Sequence, residues 1–148
     1  MPYVEVSKVI QGDKNELYEI IKKMEDYPKF MKDVVSVETL ERGNDNTTVT
    51  YWVTNVDGRT IKWKELDKFD DTNFRVVYKQ IVGDLKKFEG EWILEDTPEG
   101  VKVILTVDFD FGIPMIAPLL NPILKKKVKQ NSEAMLQSIK EKMENIAS

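Results

Sequence analysis

Two hydrophobic periods divide this chain. Between Val34 and Phe111 apolar and polar residues alternate in twos, and from Pro122 onward the apolar ones recur every three or four positions. Alternation marks a half-buried strand, and the longer period marks a helix with one buried face. The last stretch sets Leu124, Val128, Met135, Ile139, Met143 and Ile146 on one face, against Lys126, Lys129, Lys140, Glu141 and Glu144 on the other. Asn121 is placed as an N-cap and Pro122 as the first helical residue. From Pro122 to the C-terminus such a helix runs roughly 39 Å. That is too long to lie flat beside ordinary strands, so the sheet it packs on must be long and curved.

The strands can be placed in order. Tyr3 to Ile10 alternates through Val4 and Val6 toward Val9-Ile10 and predicts the first strand, which Gly12 breaks. Asp13 and Glu16 have capping-box spacing, and Leu17, Ile20, Ile21 and Met24 form one helical face after them. Tyr27-Pro28 ends that helix, because the residue before a proline is pushed out of helical geometry. Pro28 then opens a short second helix, Lys29 to Lys32. Six further strands follow: from Val34 with Val35 and Val37 inward, then Thr47 to Val56, Arg59 to Phe69, Phe74 to Val82, Leu85 to Glu95 and Val101 to Phe111. Asp57-Gly58 is the strongest hairpin signal, since both central residues of that turn need positive φ. Gly90 in mid-strand predicts a bulge or a bend.

Short turns between consecutive strands favour an antiparallel meander. The fold class is therefore α+β: a curved antiparallel sheet of about seven strands wrapped around a long C-terminal helix, with one or two short helices after the first strand. No repeat or linker interrupts residues 1–148, which read as a single domain.

Composition narrows the chemistry. Of 148 residues none is His and none is Cys, which removes disulfides, thiolate catalysis, the commonest general base and the commonest zinc ligand. The carboxylate pairs Asp70-Asp71 and Asp108/Asp110 lie in a turn and on an outer strand face, so no metal site and no cofactor is expected. A net charge of −4 argues against a dedicated nucleic-acid binder. There is neither a run of about 18 apolar residues nor a basic-then-apolar N-terminal pattern, so the default expectation is cytoplasmic.

A curved sheet under one helix leaves an interior filled either by large side chains or by a ligand. Trp52 or Tyr51, Trp63, Phe74, Tyr78, Phe88, Trp92, Phe109 and Phe111 are the large residues available for either role. Glu65 shares a face with Ile61, Trp63, Asp67 and Phe69, so it is expected inside. There it is paired with a Lys or Tyr across the sheet, or wet near the barrel mouth, or held at a raised pKa, in which case it could serve as a catalytic acid or base. Tyr78, Gln80 and the amide of Asn131 are polar groups on the same interior, each able to bond a ligand or the backbone. Met115, Leu120, Leu124 and Met135 complete the expected wall. The apolar segment Phe111 to Leu120, followed by Lys125-Lys126-Lys127 and Lys129, reads either as a gate with transient membrane contact or as a buried turn before a wet face.

The order of elements resembles the helix-grip fold of the START-like (SRPBCC) superfamily, over essentially the whole chain. Within it, Tyr27-Pro28-Lys29-Phe30-Met31 with Val34-Val35-Ser36-Val37, Trp63-Lys64-Glu65, Gln80-Ile81-Val82-Gly83 and Gly90-Glu91-Trp92-Ile93-Leu94 are similar to the polyketide cyclase/dehydrase and lipid-transport branch, which includes coenzyme Q-binding proteins. The resemblance implies a cavity for a lipid, polyketide, sterol-like or quinone molecule. Some such proteins use it as an active site. With no catalytic constellation apart from Glu65, the reading leans to a binding protein; a cyclase/dehydratase and a membrane-associated lipid or quinone chaperone are the alternatives.

Overall fold

The computed structural model describes residues 3–56, 58–112 and 117–147, without the side chains of 117–121 and 146–147. In chain order the elements are β1 (Tyr3–Ile10), α1 (Lys14–Lys22), a 3₁₀ helix (Met24–Lys29), β2 (Val34–Arg42), β3 (Thr47–Val56), β4 (Arg59–Asp70), β5 (Arg75–Gly83), β6 (Lys87–Thr97), β7 (Gly100–Asp110) and α2 (Ala117–Ala147). The strands form one antiparallel sheet in the order β1-β7-β6-β5-β4-β3-β2. Its two edges are the first two strands in sequence, and α1 with the 3₁₀ helix makes the passage between them. The expected seven-stranded sheet with a long final helix is what the chain adopts.

Local chemistry explains most boundaries. Asp13 caps α1 by accepting from the Glu16 amide at 3.2 Å. Gly58 has φ +80°, as the β3–β4 hairpin requires, while Asp57 lies outside the described residues. Gly12 has φ +137°, and a Cβ there would collide with the side chain of Met143, so the end of α2 seats on bare backbone.

Several boundaries differ from expectation. The first helix stops at Lys22, and the segment around Tyr27-Pro28 is a 3₁₀ helix, in place of a second helix over Lys29 to Lys32. Tyr27 is fully buried and its hydroxyl donates to the Ile21 carbonyl, which fixes that turn. In β2 a register shift between Val34 and Ser36 turns Val35 outward, to 55% exposure, and leaves Val34 and Val37 inside. Phe74 sits before β5 with φ 52°, and a second shift opposite Lys64/Glu65 puts Val82 outside as well. Gly90 makes no bulge: it pairs in register with Tyr78 on one side and Val107 on the other.

Helix α2 begins at Ala117, so Pro122 lies inside it and Asn121 is not its N-cap. Its 31 residues span about 46 Å. The C-terminal half is sealed, with Leu136, Ile139 and Met143 no more than 1% exposed beside β1, Leu17 and Ile21. The half before it is looser, and Leu124, Val128 and Met135 are only partly buried.

Candidate functional site

Under that looser half, between α2 and β3–β7, lies a cavity of about 80 Å³. A water needs roughly 10–15 Å³ by such a measure, so the space holds several waters. The wall is aromatic on the sheet side: Trp52, Trp63, Phe88, Trp92 and Phe111. All three tryptophans of the chain are there. Ile61, Leu85, Leu105 and Val107 fill between the rings, and Val128, Asn131, Ser132 and Met135 descend from α2. Strand register builds this wall. Trp52 and Trp63 are paired across β3 and β4, so their indoles stack at 5.6 Å and 6°. Phe88 leans on Trp63 at 4.8 Å, and Tyr27 meets Trp52 edge-on at 5.6 Å.

Into this apolar wall β4 projects two carboxyl groups. Alternation along Trp63, Glu65 and Asp67 puts all three inside, Glu65 at 3% and Asp67 at 0% exposure. Glu65 faces the cavity, and its Oε1 accepts from the Trp63 indole at 2.7 Å. Asp67 Oδ2 accepts from the hydroxyls of Thr50 at 2.6 Å and Thr48 at 3.3 Å. The Thr50 oxygen in turn accepts from the Trp52 indole at 2.8 Å. Asp67 Oδ1 is buried without a hydrogen-bond partner.

Burial, then the Asp67 charge, raises the Glu65 pKa well above the usual carboxylate range. Burial raises Asp67 too, but its bonds from Thr50 and Thr48 counter the rise. Of the two carboxyls, Glu65 is the one pushed further toward its protonated form. No lysine or arginine stands among the described residues lining the cavity.

Tyr78 lines the cavity beside Glu65 and donates to the Thr106 carbonyl at 2.6 Å. It crosses Gly90 to get there. A Cβ on Gly90 would run into that carbonyl oxygen and come within 2.7 Å of the Tyr78 hydroxyl. The glycine is thus explained by close approach of the Thr106 backbone and the Tyr78 hydroxyl, in place of the expected bulge.

The remaining expected wall residues divide. Gln80 is not in the cavity lining; its Nε2 donates to the Leu85 carbonyl at 2.7 Å while its Oε1 is buried without a partner. Phe109 is fully buried behind Phe111, with ring centres 5.3 Å apart, and belongs to the core. Leu124 packs against the core outside the cavity. Asn131 does not bond the sheet backbone; it donates to the Asp33 carboxylate at 3.2 Å, tying α2 to the start of β2 at the cavity rim. Met115 and the side chain of Leu120 lie outside the described residues, as does most of the Phe111 to Leu120 segment. Residues not anticipated include Leu85, Ser132, Asp33 and the Thr50–Asp67 link. Only Asp67 carried a sequence signal, its two-residue spacing from Glu65.

A second hollow, a groove of about 650 Å³, opens beneath the 3₁₀ helix at the far end of β3 and β4. Its walls are polar and of mixed charge, with Lys22, Glu25, Asp26 and Arg42 beside Thr47, Thr48 and Thr50.

A curved sheet gripping a long helix, with a cavity between them, defines a START-like fold of the helix-grip type. The chain belongs to the polyketide cyclase/dehydrase and lipid transport family, whose description matches residues 10–136. It is 30% identical over 101 residues to the actinorhodin polyketide synthase bifunctional cyclase/dehydratase of Streptomyces coelicolor, a match covering 67% of this chain and 32% of that protein. The chain therefore matches about a third of the length of that curated relative. Among solved structures it is similar to TTHA0849 from Thermus thermophilus, with TM-score 0.92 and 28% identity over 99% of this chain and 100% of the other. The Zhui aromatase/cyclase from Streptomyces sp. R1128 superposes with TM-score 0.88 at 19% identity, covering 99% of this chain and 95% of that one, a likeness of fold. Among the described residues no helix is long and apolar enough to cross a membrane.

Proposed function

We propose that this protein binds a flat, mostly apolar, oxygen-bearing molecule of the lipid, quinone or polyketide class under α2, with Glu65 as its polar anchor. The observation that carries this is a buried carboxyl set among tryptophan and phenylalanine rings, with no cation among the described residues that line the cavity. Aromatic faces suit a planar ligand. A protonated Glu65 donates to a ligand carbonyl, and its carbonyl oxygen accepts from a ligand hydroxyl. The present cavity is below the roughly 300–1,000 Å³ of small-molecule sites, so a ligand of several rings must displace the half-buried side chains of Val128 and Met135.

Organic extraction of the purified protein followed by mass spectrometry tests the reading. A stoichiometric apolar compound is expected in the wild type and absent from Met135→Trp, which fills the cavity. A wild-type extract with no such compound, together with no displacement of a bound naphthalene dye by quinones or fatty acids, would defeat it.

A second reading has its own observation, two buried carboxyl groups, Glu65 and Asp67, on one face of β4. In a dehydration, Glu65 would give its proton to a departing hydroxyl while the conjugate pair takes the proton from the neighbouring carbon, releasing water and forming a C=C bond. The likeness to a cyclase/dehydratase supports it. Appearance of enone absorbance from a bicyclic β-hydroxy ketone, lost in Glu65→Gln, is the expected result; no turnover by the wild type leaves binding alone.

A further inference from the structure

The cavity wall carries charge of one sign. Glu65, 3% exposed, faces the space and Asp33 stands at its rim, while no lysine or arginine lines it among the described residues. Asp67, 0% exposed, lies two residues further along the same face of β4, about 6–7 Å away along the strand. Glu65 Oε1 accepts from the Trp63 indole, and none of the described residues donates to Oε2. The neutral donors nearby are largely spent: Trp52 on Thr50, Tyr78 on the Thr106 carbonyl, Thr54 on the Ile61 carbonyl and Asn131 on Asp33. A buried carboxylate without a counter-charge is costly, so burial and the neighbouring Asp67 push Glu65 toward its protonated form. A guest that brings its own cation removes that cost.

We propose that this cavity also takes hydrophobic amines, as arylalkyl ammonium ions, holding the ammonium on Glu65 and the apolar group against the tryptophan wall. Binding is coupled to a proton exchange. The Glu65 carboxyl gives its proton to solvent, and the ammonium N–H groups donate to the carboxylate left behind. One proton leaves for each amine bound, and no covalent bond of the guest changes. Asp67 strengthens the preference, because one ammonium offsets two neighbouring carboxyls. The rings add to it, since the electron-rich face of an aromatic side chain, tryptophan above all, attracts a cation. This extends the reading of Glu65 as the polar anchor of the cavity and rests on it.

The elements packed around Glu65 offer no competing cation among the described residues. The 3₁₀ helix brings Tyr27 and β5 brings Tyr78; both hydroxyls donate to backbone carbonyls, and burial raises both pKa values, so they stay neutral. Trp52, Thr54 and Val56 come from β3, Phe88 and Trp92 from β6, and Leu105 and Val107 from β7. From α2 the cavity receives Val128, Asn131, Ser132 and Met135, which carry no charge. Lys125, Lys126 and Lys129 of that helix are exposed and do not line the cavity. The other charged side chain on the described lining is Asp33, which is negative too and accepts from Asn131.

Isothermal titration calorimetry with 2-naphthylmethylamine and 2-naphthylmethanol tests this, since the two set an ammonium against a hydroxyl at nearly equal size. The amine is expected to bind about tenfold or more tighter, the scale of one hydrogen bond to a charged group. Its affinity should climb with pH below the folded pKa of Glu65, by up to about tenfold per unit, and level off above it. The alcohol should show no such climb. Titrations in buffers of different ionisation enthalpy should count close to one proton released per amine at acid pH. Glu65→Gln should cancel the preference and the proton release while the alcohol still binds, and Met135→Trp should bind neither compound. Alcohol binding with the amine equal or weaker overturns the amine site and leaves the cavity reading standing. Amine binding that survives Met135→Trp, or a preference that survives Glu65→Gln, puts the ammonium elsewhere and overturns it as well. Binding of neither compound by the wild type removes the cavity reading itself, and the amine site with it. Should Glu65→Gln fail to fold, the proton count in the wild type decides alone.

Discussion

The two halves of α2 lie on the same sheet and are built differently. Leu136, Ile139 and Met143 are buried to 1% or less beside β1 and α1, and Gly12 lets Met143 press onto backbone. One or two turns earlier, Val128, Asn131 and Met135 hang half-buried over open space. Close packing in the C-terminal half holds the fold, which frees the half before it from that duty. A helix longer than its core can fill is how this architecture keeps both stability and a vacant interior. The polar residues follow the same division, for Glu65, Asp67, Asn131 and Ser132 all belong to the open half.

Substitutions can break that division. Ile139→Ala in the sealed half should cost about 3–4 kcal/mol in urea unfolding, while Met135→Ala over the cavity should cost only about 1 kcal/mol. Equal losses would mean the two halves are packed alike. Gly90→Ala is expected to destabilise by about 3 kcal/mol, since its Cβ meets backbone that cannot step aside, and near-ultraviolet circular dichroism should show the aromatic wall disturbed. Tyr78→Phe, which leaves the ring over Gly90 and deletes the hydroxyl, should cost nearer 1 kcal/mol.

Glu65→Gln sharpens the contrast through pH. The folded protein holds the Glu65 proton above the ordinary value of 4.5 and the unfolded chain does not, so the native state binds more protons there. Wild-type stability is full below that value and falls as pH rises toward the folded pKa, by at most about 1.4 kcal/mol per pH unit. The advantage of Glu65→Gln in urea midpoint should therefore be small at acid pH and widen with alkalinity; a flat difference would mean Glu65 is ionised inside. The smallest effect concerns the outer face of α2, where Ile123, Lys125, Lys126 and Lys129 are exposed. Reversing Lys125 and Lys126 to Glu should lower cosedimentation with anionic liposomes only modestly, by about 1 kcal/mol per charge at most.

Legibility in the sequence followed the regularity of the backbone. Alternation in β4 and β7 put Trp63, Glu65, Val103 and Phe109 inside as read, because those strands run without interruption. Where a strand shifts register by one residue the pattern inverts, which is why Val35 reads as inward and lies outside. Leu136 was missed for a related reason: the buried face of α2 is broad, and Ser132 and Leu136 share it with the stripe that includes Met135 and Ile139. Gly90 read as a bend because its real cause, a tyrosine from the neighbouring strand, is a tertiary fact. Glu65 was placed inside by its spacing, but the Thr48, Thr50 and Trp52 bonds around Asp67 depend on the β3–β4 register, and no local pattern announces it.

The placement of the indoles has one further consequence. Because every tryptophan of the chain stands on the cavity wall, the indole emission of the unlabelled protein comes from this compartment. The parallel Trp52 and Trp63 rings are near enough to couple as an exciton pair. A guest that parts or screens them changes the couplet, so the molecule signals its own occupancy.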